Sequence, residues 1–253
     1  MSSGGENYFT RERLDLLRRE IERDGIVPDE FLARDPDCPV FGLNLACAYP
    51  FPPEPAPAYL ALASKLAGLD PAACVYPLEQ THVTIMTFLN FSLYRRPSPE
   101  KLAELRSWIG PVIDLARTWF EEAGVRCFRL EFQPPALTRK AAILPIINPS
   151  GEIARLRRGM GEALRGDKAV CERVRQGGLN VPGIIHSTVM RFREAPANLA
   201  GFTAGFDAVA AASVPFSADI REILLTVETR PYMRQGEIVH RFPLAGAQEP
   251  HVR

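Results

Sequence analysis

The sequence predicts an α+β fold built by duplication, with antiparallel sheets and helices packed outside them. Two observations carry this expectation. The heptapeptide His82-Val83-Thr84-Ile85-Met86-Thr87-Phe88 returns as His186-Ser187-Thr188-Val189-Met190-Arg191-Phe192, at a separation close to half of the 253-residue chain. Both copies read His-x-Thr-aliphatic-Met-x-Phe. Strand-like segments also come in pairs between helical ones, which favours antiparallel pairing over a doubly wound parallel sheet.

The elements follow in order. Leu14, Leu17 and Ile21 recur at helical spacing behind Thr10 as N-cap and ahead of Gly25, so residues 10 to 24 form a helix, expected on the outside of the first lobe. Asp35-Pro36-Asp37-Cys38-Pro39 is a turn, and Val40 to Tyr49 is the first strand. Five prolines between Pro50 and Pro57 impose an irregular surface loop, followed by a short helix over Ala58 to Leu66. Cys74 to Tyr76 and His82 to Leu89 have strand character on either side of Pro77-Leu78-Glu79-Gln80. Ser98-Pro99-Glu100 starts a helix through Leu102, Leu105, Trp108 and Ile109, which Gly110-Pro111 kinks or restarts.

Cys127 to Phe132 and Ala141 to Ile147 read as a hairpin or meander around Pro134-Pro135 and the basic pair Arg139-Lys140. Ser150 caps a helix with Ile153, Leu156, Met160 and Leu164 on its apolar face, and Arg165 to Gly183 is a polar connection. A helix over Pro196 to Ala212 and two strands, Phe216 to Glu228 and Glu237 to Leu244, close the chain. Within the motif strands, alternation puts His82, Thr84, Met86 and Phe88 on one face and Val83, Ile85 and Thr87 on the other, with the same parity in the second copy.

Composition narrows the function. Hydrophobic residues make up 46% of the chain, enough for a sizeable core, and 30 basic residues balance 30 acidic ones. That balance argues against an extended nucleic-acid surface or an anionic membrane and leaves a small anionic ligand held by local groups. Met1 to Asn7 lacks a basic segment followed by an apolar run, and no stretch approaches ~18 apolar residues. The five cysteines are scattered without metal-ligand spacing and read as reduced thiols. A cytoplasmic monomer is expected.

The repeated motif carries the chemistry. An imidazole has an unperturbed pKa of ~6.5, so near neutral pH one histidine can act as base while the other, protonated, acts as acid. In-line displacement at a phosphodiester needs that division. A threonine two residues along each strand can donate its hydroxyl to a non-bridging oxygen, where charge builds in the transition state. The scheme requires neither metal nor cofactor.

The two motifs, each set in a hydrophobic strand, resemble those of the 2H phosphoesterase superfamily, which includes 2′-5′ RNA ligase-like proteins and cyclic phosphodiesterases. The resemblance extends over the order of elements from about Val40 to Leu244, including the closing strand Leu224-Leu225-Thr226-Val227-Glu228. It implies a bilobal, pseudo-twofold domain over residues 40–253, with antiparallel sheets lining a central cleft, and residues 1–39 as an N-terminal extension with one helix. It also implies metal-independent cleavage of a phosphodiester, often a 2′,3′-cyclic phosphate. Carried over by position, His82 and His186 are the acid-base pair and Thr84 and Thr188 the phosphate-binding hydroxyls. Which histidine is base and which is acid stays open.

Other residues weigh less. Met86, Phe88, Met190 and Phe192 read as lobe packing or cleft floor. His240 and His251 lie outside the motif and read as non-catalytic. Tyr49, Tyr76 and Tyr232 lie near strand ends where a ring could stack a base, and Tyr232 and Arg230 are named as substrate-binding candidates. Arg139, Lys140, Arg165, Lys168, Arg173 and Arg175 read as solvated charge, with one or two able to hold a second phosphate. The expected partner is a small nucleotide or a short RNA terminus. The rival functions are RNA end processing or ligation, and a module that binds a cyclic nucleotide or RNA terminus without cleaving it.

Overall fold

In the computed structural model, which describes residues 9–246, the two motif strands belong to two different antiparallel sheets. The first sheet is built from β1 (Gly42–Cys47), β3 (Val83–Leu89), β9 (Glu222–Arg230) and β10 (Gln235–Pro243), in the order β10-β9-β1-β3. The second holds β2 (Ala73–Val75), β4 (Phe128–Phe132), β6 (Ala141–Ile147), β7 (His186–Phe192) and β8 (Phe216–Ile220), in the order β2-β7-β6-β4-β8. The short β5 (Ala136–Leu137) pairs with β6. Outward from each motif strand the two sheets correspond: β3-β1-β9-β10 matches β7-β6-β4-β8, every pair antiparallel. This is the α+β, pseudo-twofold arrangement the sequence predicts.

The lobes are not the two halves of the chain. β2 leaves the N-terminal half to pair with β7, and β9 and β10 return to complete the first sheet. β1 is buried along its whole length and needs a neighbour on each edge, and β9 is the second of them. The segment expected as one strand over Phe216 to Glu228 is divided at Arg221, with β8 in the second sheet and β9 in the first. A single buried core runs through both lobes, joining Leu43, Ile85 and Phe88 to Leu144, Val189 and Phe192.

Helices cover the outer faces: α3 (Ala56–Ala67), α4 (Pro99–Ser107), α5 (Ile109–Ala123), α6 (Glu152–Gly166), α7 (Lys168–Gln176) and α8 (Leu199–Ala211). The break between α4 and α5 falls at Trp108, just before the Gly110-Pro111 pair. The connection expected to be irregular between Arg165 and Gly183 contains α7: Asp167 accepts from the Ala169 and Val170 amides, and Val170, Cys171 and Val174 bury one face. Its charged residues dominate composition while three apolar positions decide packing. α6 is not capped by Ser150. Gly151, at φ +72°, takes that position, and the Asn148 side chain accepts from the Ile153 amide at 2.8 Å.

The N-terminal extension carries two helices among the described residues, not one. α1 (Arg11–Asp24) begins at Thr10 and ends at Gly25, φ +71°, as predicted, but Leu17 packs with Ala136, Ala141 and Ile143 of the second sheet, away from the first lobe. α2 (Glu30–Arg34) is one short turn capped by Asp29, too brief to show a periodic signal. All five cysteines are free, and Cys38, Cys47 and Cys171 are buried. No described helix is long and apolar enough to cross a membrane. His251 and the Met1 to Asn7 segment lie outside the described residues.

One glycine sets the distance between α5 and α6. A Cβ placed on Gly159 would lie 2.2 Å from the Trp119 indole, well inside contact distance. Gly159→Ala is expected to destabilise the fold by about 1–3 kcal/mol through overpacking, read as a lower midpoint in urea unfolding with an unchanged slope.

Candidate active site

Both motif strands carry an extra residue at the same motif position, β3 having a second at Phe88, and the shared one decides what faces the cleft. Opposite β1, Ala46 pairs with Thr84 and Leu45 with Met86, leaving Ile85 as a β-bulge. Opposite β6, Ile143 pairs with Thr188 and Ala142 with Met190, leaving Val189 as a bulge at the same motif position. A bulge shifts the alternation by one residue. The shared face expected for His, Thr, Met and Phe therefore breaks after the threonine. Met86, Phe88, Met190 and Phe192 are fully buried, whereas Thr87 and Arg191 join the cleft beside Thr84 and Thr188.

The cleft has a volume of about 460 Å³, within the range that fits a nucleotide-sized ligand. It gathers His82, Thr84, His186, Thr188, Tyr76 and Tyr232 from the residues singled out in the sequence. Arg230 is not among its lining residues, and its guanidinium instead donates to the Thr229 carbonyl at 2.9 Å. Its alternate position on β9 is taken by Glu228, which lines the cleft. The guanidinium that does reach the cleft is Arg191, equivalent by motif position to Thr87. Neither Arg191 nor Glu228 was legible beforehand, because strict alternation placed Arg191 on the far face and Glu228 is separated from the motifs in sequence.

Both imidazoles are held away from bulk water, but unequally. His82 donates from Nδ1 to the Gln80 carbonyl at 2.8 Å when Nε2 carries the lone pair, so the Nε2 edge is the one left for other partners. Burial lowers its pKa, with the Gln80 carbonyl opposing and the Arg191 charge adding to the effect. His186 Nδ1 is buried without a well-formed hydrogen bond. Burial pushes its pKa down to about 4; the Ile184 carbonyl opposes this, while Arg157, His82 and Arg191 reinforce it. The Thr84 and Thr188 hydroxyls make no hydrogen bond to another described residue and remain available as donors.

Arg157 of α6 ties the two motif strands together from behind. Its Nε donates to the Ile85 carbonyl at 3.0 Å, and Nη2 donates to the carbonyls of Thr84 at 3.2 Å and Ile184 at 3.1 Å. The bulge leaves strand carbonyls without ladder partners, and this guanidinium supplies donors to them. A second link lies on the open edge of β3, where Thr87 exchanges both backbone hydrogen bonds with Asn180 at 2.8 and 2.9 Å.

The first-lobe wall is polar and largely buried. Thr87 donates to Asn44 Oδ1 at 2.8 Å, and Asn44 donates to Glu228 Oε2 at 3.3 Å. The Met233 amide donates to Glu228 Oε1 at 2.9 Å. Burial raises the Glu228 pKa to about 7, against the pull of these donors and of Arg191. Tyr232 is left-handed at φ +60°, its ring edge-on to Phe91 at 5.3 Å, and it holds the Arg191 guanidinium over its face at 4.2 Å. Tyr49 sets its ring edge-on to His82 at 6.3 Å, and Tyr76 is buried.

The remaining candidates lie elsewhere. Arg139 donates to the Gly25 and Asp24 carbonyls, closing the end of α1, and none of Lys140, Arg165, Lys168, Arg173 or Arg175 lines the cleft. His240 packs on Phe242 at 4.5 Å. Among the described residues no group of three His, Cys, Asp or Glu side chains is placed to hold a metal ion.

The lowered pKa of His186 has a measurable consequence for stability. Between about 6.5 and 4 the unfolded chain binds a proton that folded His186 does not, so its contribution is present above pH 6.5 and is lost as pH falls towards 4. His186→Gln is expected to remove acid sensitivity on the order of 3 kcal/mol at full effect, seen as a flatter stability profile than the wild type over that window. Parallel profiles would place the depressed titration on another group.

Neither a protein-family model nor a curated protein matches the chain. Solved structures do. TT0787 of Thermus thermophilus is 16% identical, with 82% of this chain and 100% of that one covered at a TM-score of 0.52. The conserved protein of unknown function ATU0111 from Agrobacterium tumefaciens str. C58 is 13% identical over 88% of this chain and 95% of its own, at 0.54. The apo form of E. coli LigT is 14% identical over 81% and 98%, at 0.49. The likeness to the first two, at low sequence identity, is one of fold: a mixed arrangement of helices and antiparallel sheets over most of this chain.

Proposed function

We propose that the chain is a phosphodiesterase that cleaves a cyclic or 2′-linked nucleotide phosphodiester by acid-base catalysis between His82 and His186, without a metal ion. The observation that carries this reading is the convergence of both histidines and both threonines on one cleft from two corresponding strands. One imidazole takes a proton from the attacking water or hydroxyl and the other returns one to the leaving oxygen. Thr84, Thr188 and Arg191 hold the non-bridging oxygens as charge builds on them. The substrate is a small nucleotide or a short RNA terminus, in keeping with the size of the cleft.

The two histidines differ in a way that supports a direction for the proton. The Gln80 carbonyl can accept from a protonated His82, which favours the imidazolium there. His186 has no such firm support and is driven towards the neutral form. In this reading His186 is the base and His82 the acid. An anion between them supplies the negative charge that brings the proton onto His82.

His82→Ala and His186→Ala are each expected to abolish turnover of 2′,3′-cyclic nucleotides while leaving thermal unfolding near that of the wild type. Full activity in the double variant overturns the reading. Thr84→Val or Thr188→Val is expected to lower kcat by roughly 10²-fold through loss of one donor. A chelator is expected to leave the rate unchanged. Titration calorimetry with sulfate near pH 6.5, in buffers of different ionisation enthalpy, is expected to show uptake of about one proton per anion bound in the wild type and none in His82→Gln.

A further inference from the structure

We propose that the N-terminal segment is a working part of the cleft, with Asp29 as a positioning residue that holds Arg191 and Tyr232 towards the substrate anion. This rests on the cleft being the substrate site, and goes beyond it by assigning a role to a segment outside the motifs.

The Asp29 carboxylate is split between two tasks. Oδ1 accepts from the Phe31 and Leu32 amides, both at 3.1 Å, and so caps α2. Oδ2 accepts the Tyr232 hydroxyl and lies 3.5 Å from Nη1 of Arg191. Only 7% of the Asp29 side chain is exposed, so solvent does little to screen this contact. The contact to Arg191 is through one guanidinium nitrogen, which leaves the other donors of the fork unclaimed by the carboxylate. The Tyr232 ring beneath the guanidinium and the Tyr76 hydroxyl beside it complete the seat.

The segment itself is firmly attached. The Val27 amide donates to the Arg139 carbonyl at 2.7 Å, and the Asp29 amide donates to the Phe192 carbonyl, at the end of the second motif strand, at 2.8 Å. Phe31 packs against Phe91 at 5.2 Å and edge-on to Tyr232 at 6.1 Å, both of which line the cleft. A left-handed tyrosine is conformationally unfavourable and persists where its surroundings hold it, and the Asp29 bond to its hydroxyl is one such hold. Arg191 is therefore aimed by a residue from the far end of the sequence.

Asp29→Asn separates positioning from capping. Asparagine is as good an N-cap as aspartate, so α2 keeps its start, but the charge facing Arg191 is gone. The expected result is a KM for cyclic nucleotide, and a Kd for sulfate by calorimetry, each raised by at least about tenfold, with the unfolding midpoint close to the wild type. Asp29→Ser, which also caps but does not reach Tyr232, is expected to behave alike. A readout free of activity is the side-chain Nε–H resonance of Arg191, assigned by its loss in Arg191→Lys and expected to shift and broaden in Asp29→Asn. An unmoved resonance with wild-type sulfate affinity overturns the proposal, whatever the activity. A moved resonance in a protein that turns over no phosphodiester leaves the positioning role standing and removes the proposed reaction instead.

Discussion

The rest of the site depends on the matching β-bulges at Ile85 and Val189 and on the guanidinium that bonds the strand carbonyls at the first of them. An extra residue in a strand turns every later side chain to the other face, so Ile85 and Val189 decide which groups reach the cleft. Without them Thr87 and Arg191 face the helices, where a buried guanidinium has no place. Arg157 makes the arrangement tolerable by donating to carbonyls on both sides of the first bulge and just ahead of the second histidine. It also bonds across lobes, and its charge adds to the burial that depresses the basicity of His186.

The chain as a whole is electrically balanced, yet the cleft is not. Burial pushes both histidines towards neutrality and Glu228 towards its protonated form, which leaves Arg191 as the cation reaching into the cleft. Such a cleft attracts a single small anion without attracting a polyanion across the surface. The polar chain from Thr87 through Asn44 to Glu228 also holds the turn that presents Tyr232, so the first-lobe wall and the aromatic wall are one hydrogen-bonded unit.

Interleaving gives this site its rigidity. β9 and β10 come from the end of the chain, β2 crosses to the opposite sheet, and the N-terminal segment closes on β7 through Asp29. Groups that meet in the cleft therefore come from distant parts of the sequence, and neither lobe completes its sheet from its own half of the chain. The main core draws apolar residues from both lobes, which couples their packing.

The sequence by itself determined most of the elements and the four residues of the paired motif. Local signals were enough for that: Thr10 and Gly25 bound α1, Ser98-Pro99 opens α4, and two like heptapeptides in apolar strands mark where the histidines and threonines lie. What the tertiary structure decided was everything that depends on a partner strand. A bulge exists only relative to the strand opposite, so the entry of Thr87 and Arg191 into the cleft could not be read from alternation along one strand. Asp29 and Glu228 are remote in sequence and gain their roles from long-range pairing, and α7 shows its buried face only where a sheet edge meets it. Arg230, plausible by its place near a strand end, turned out to point its charge at a neighbouring carbonyl, because side-chain direction at the close of β9 is set by register and not by residue type.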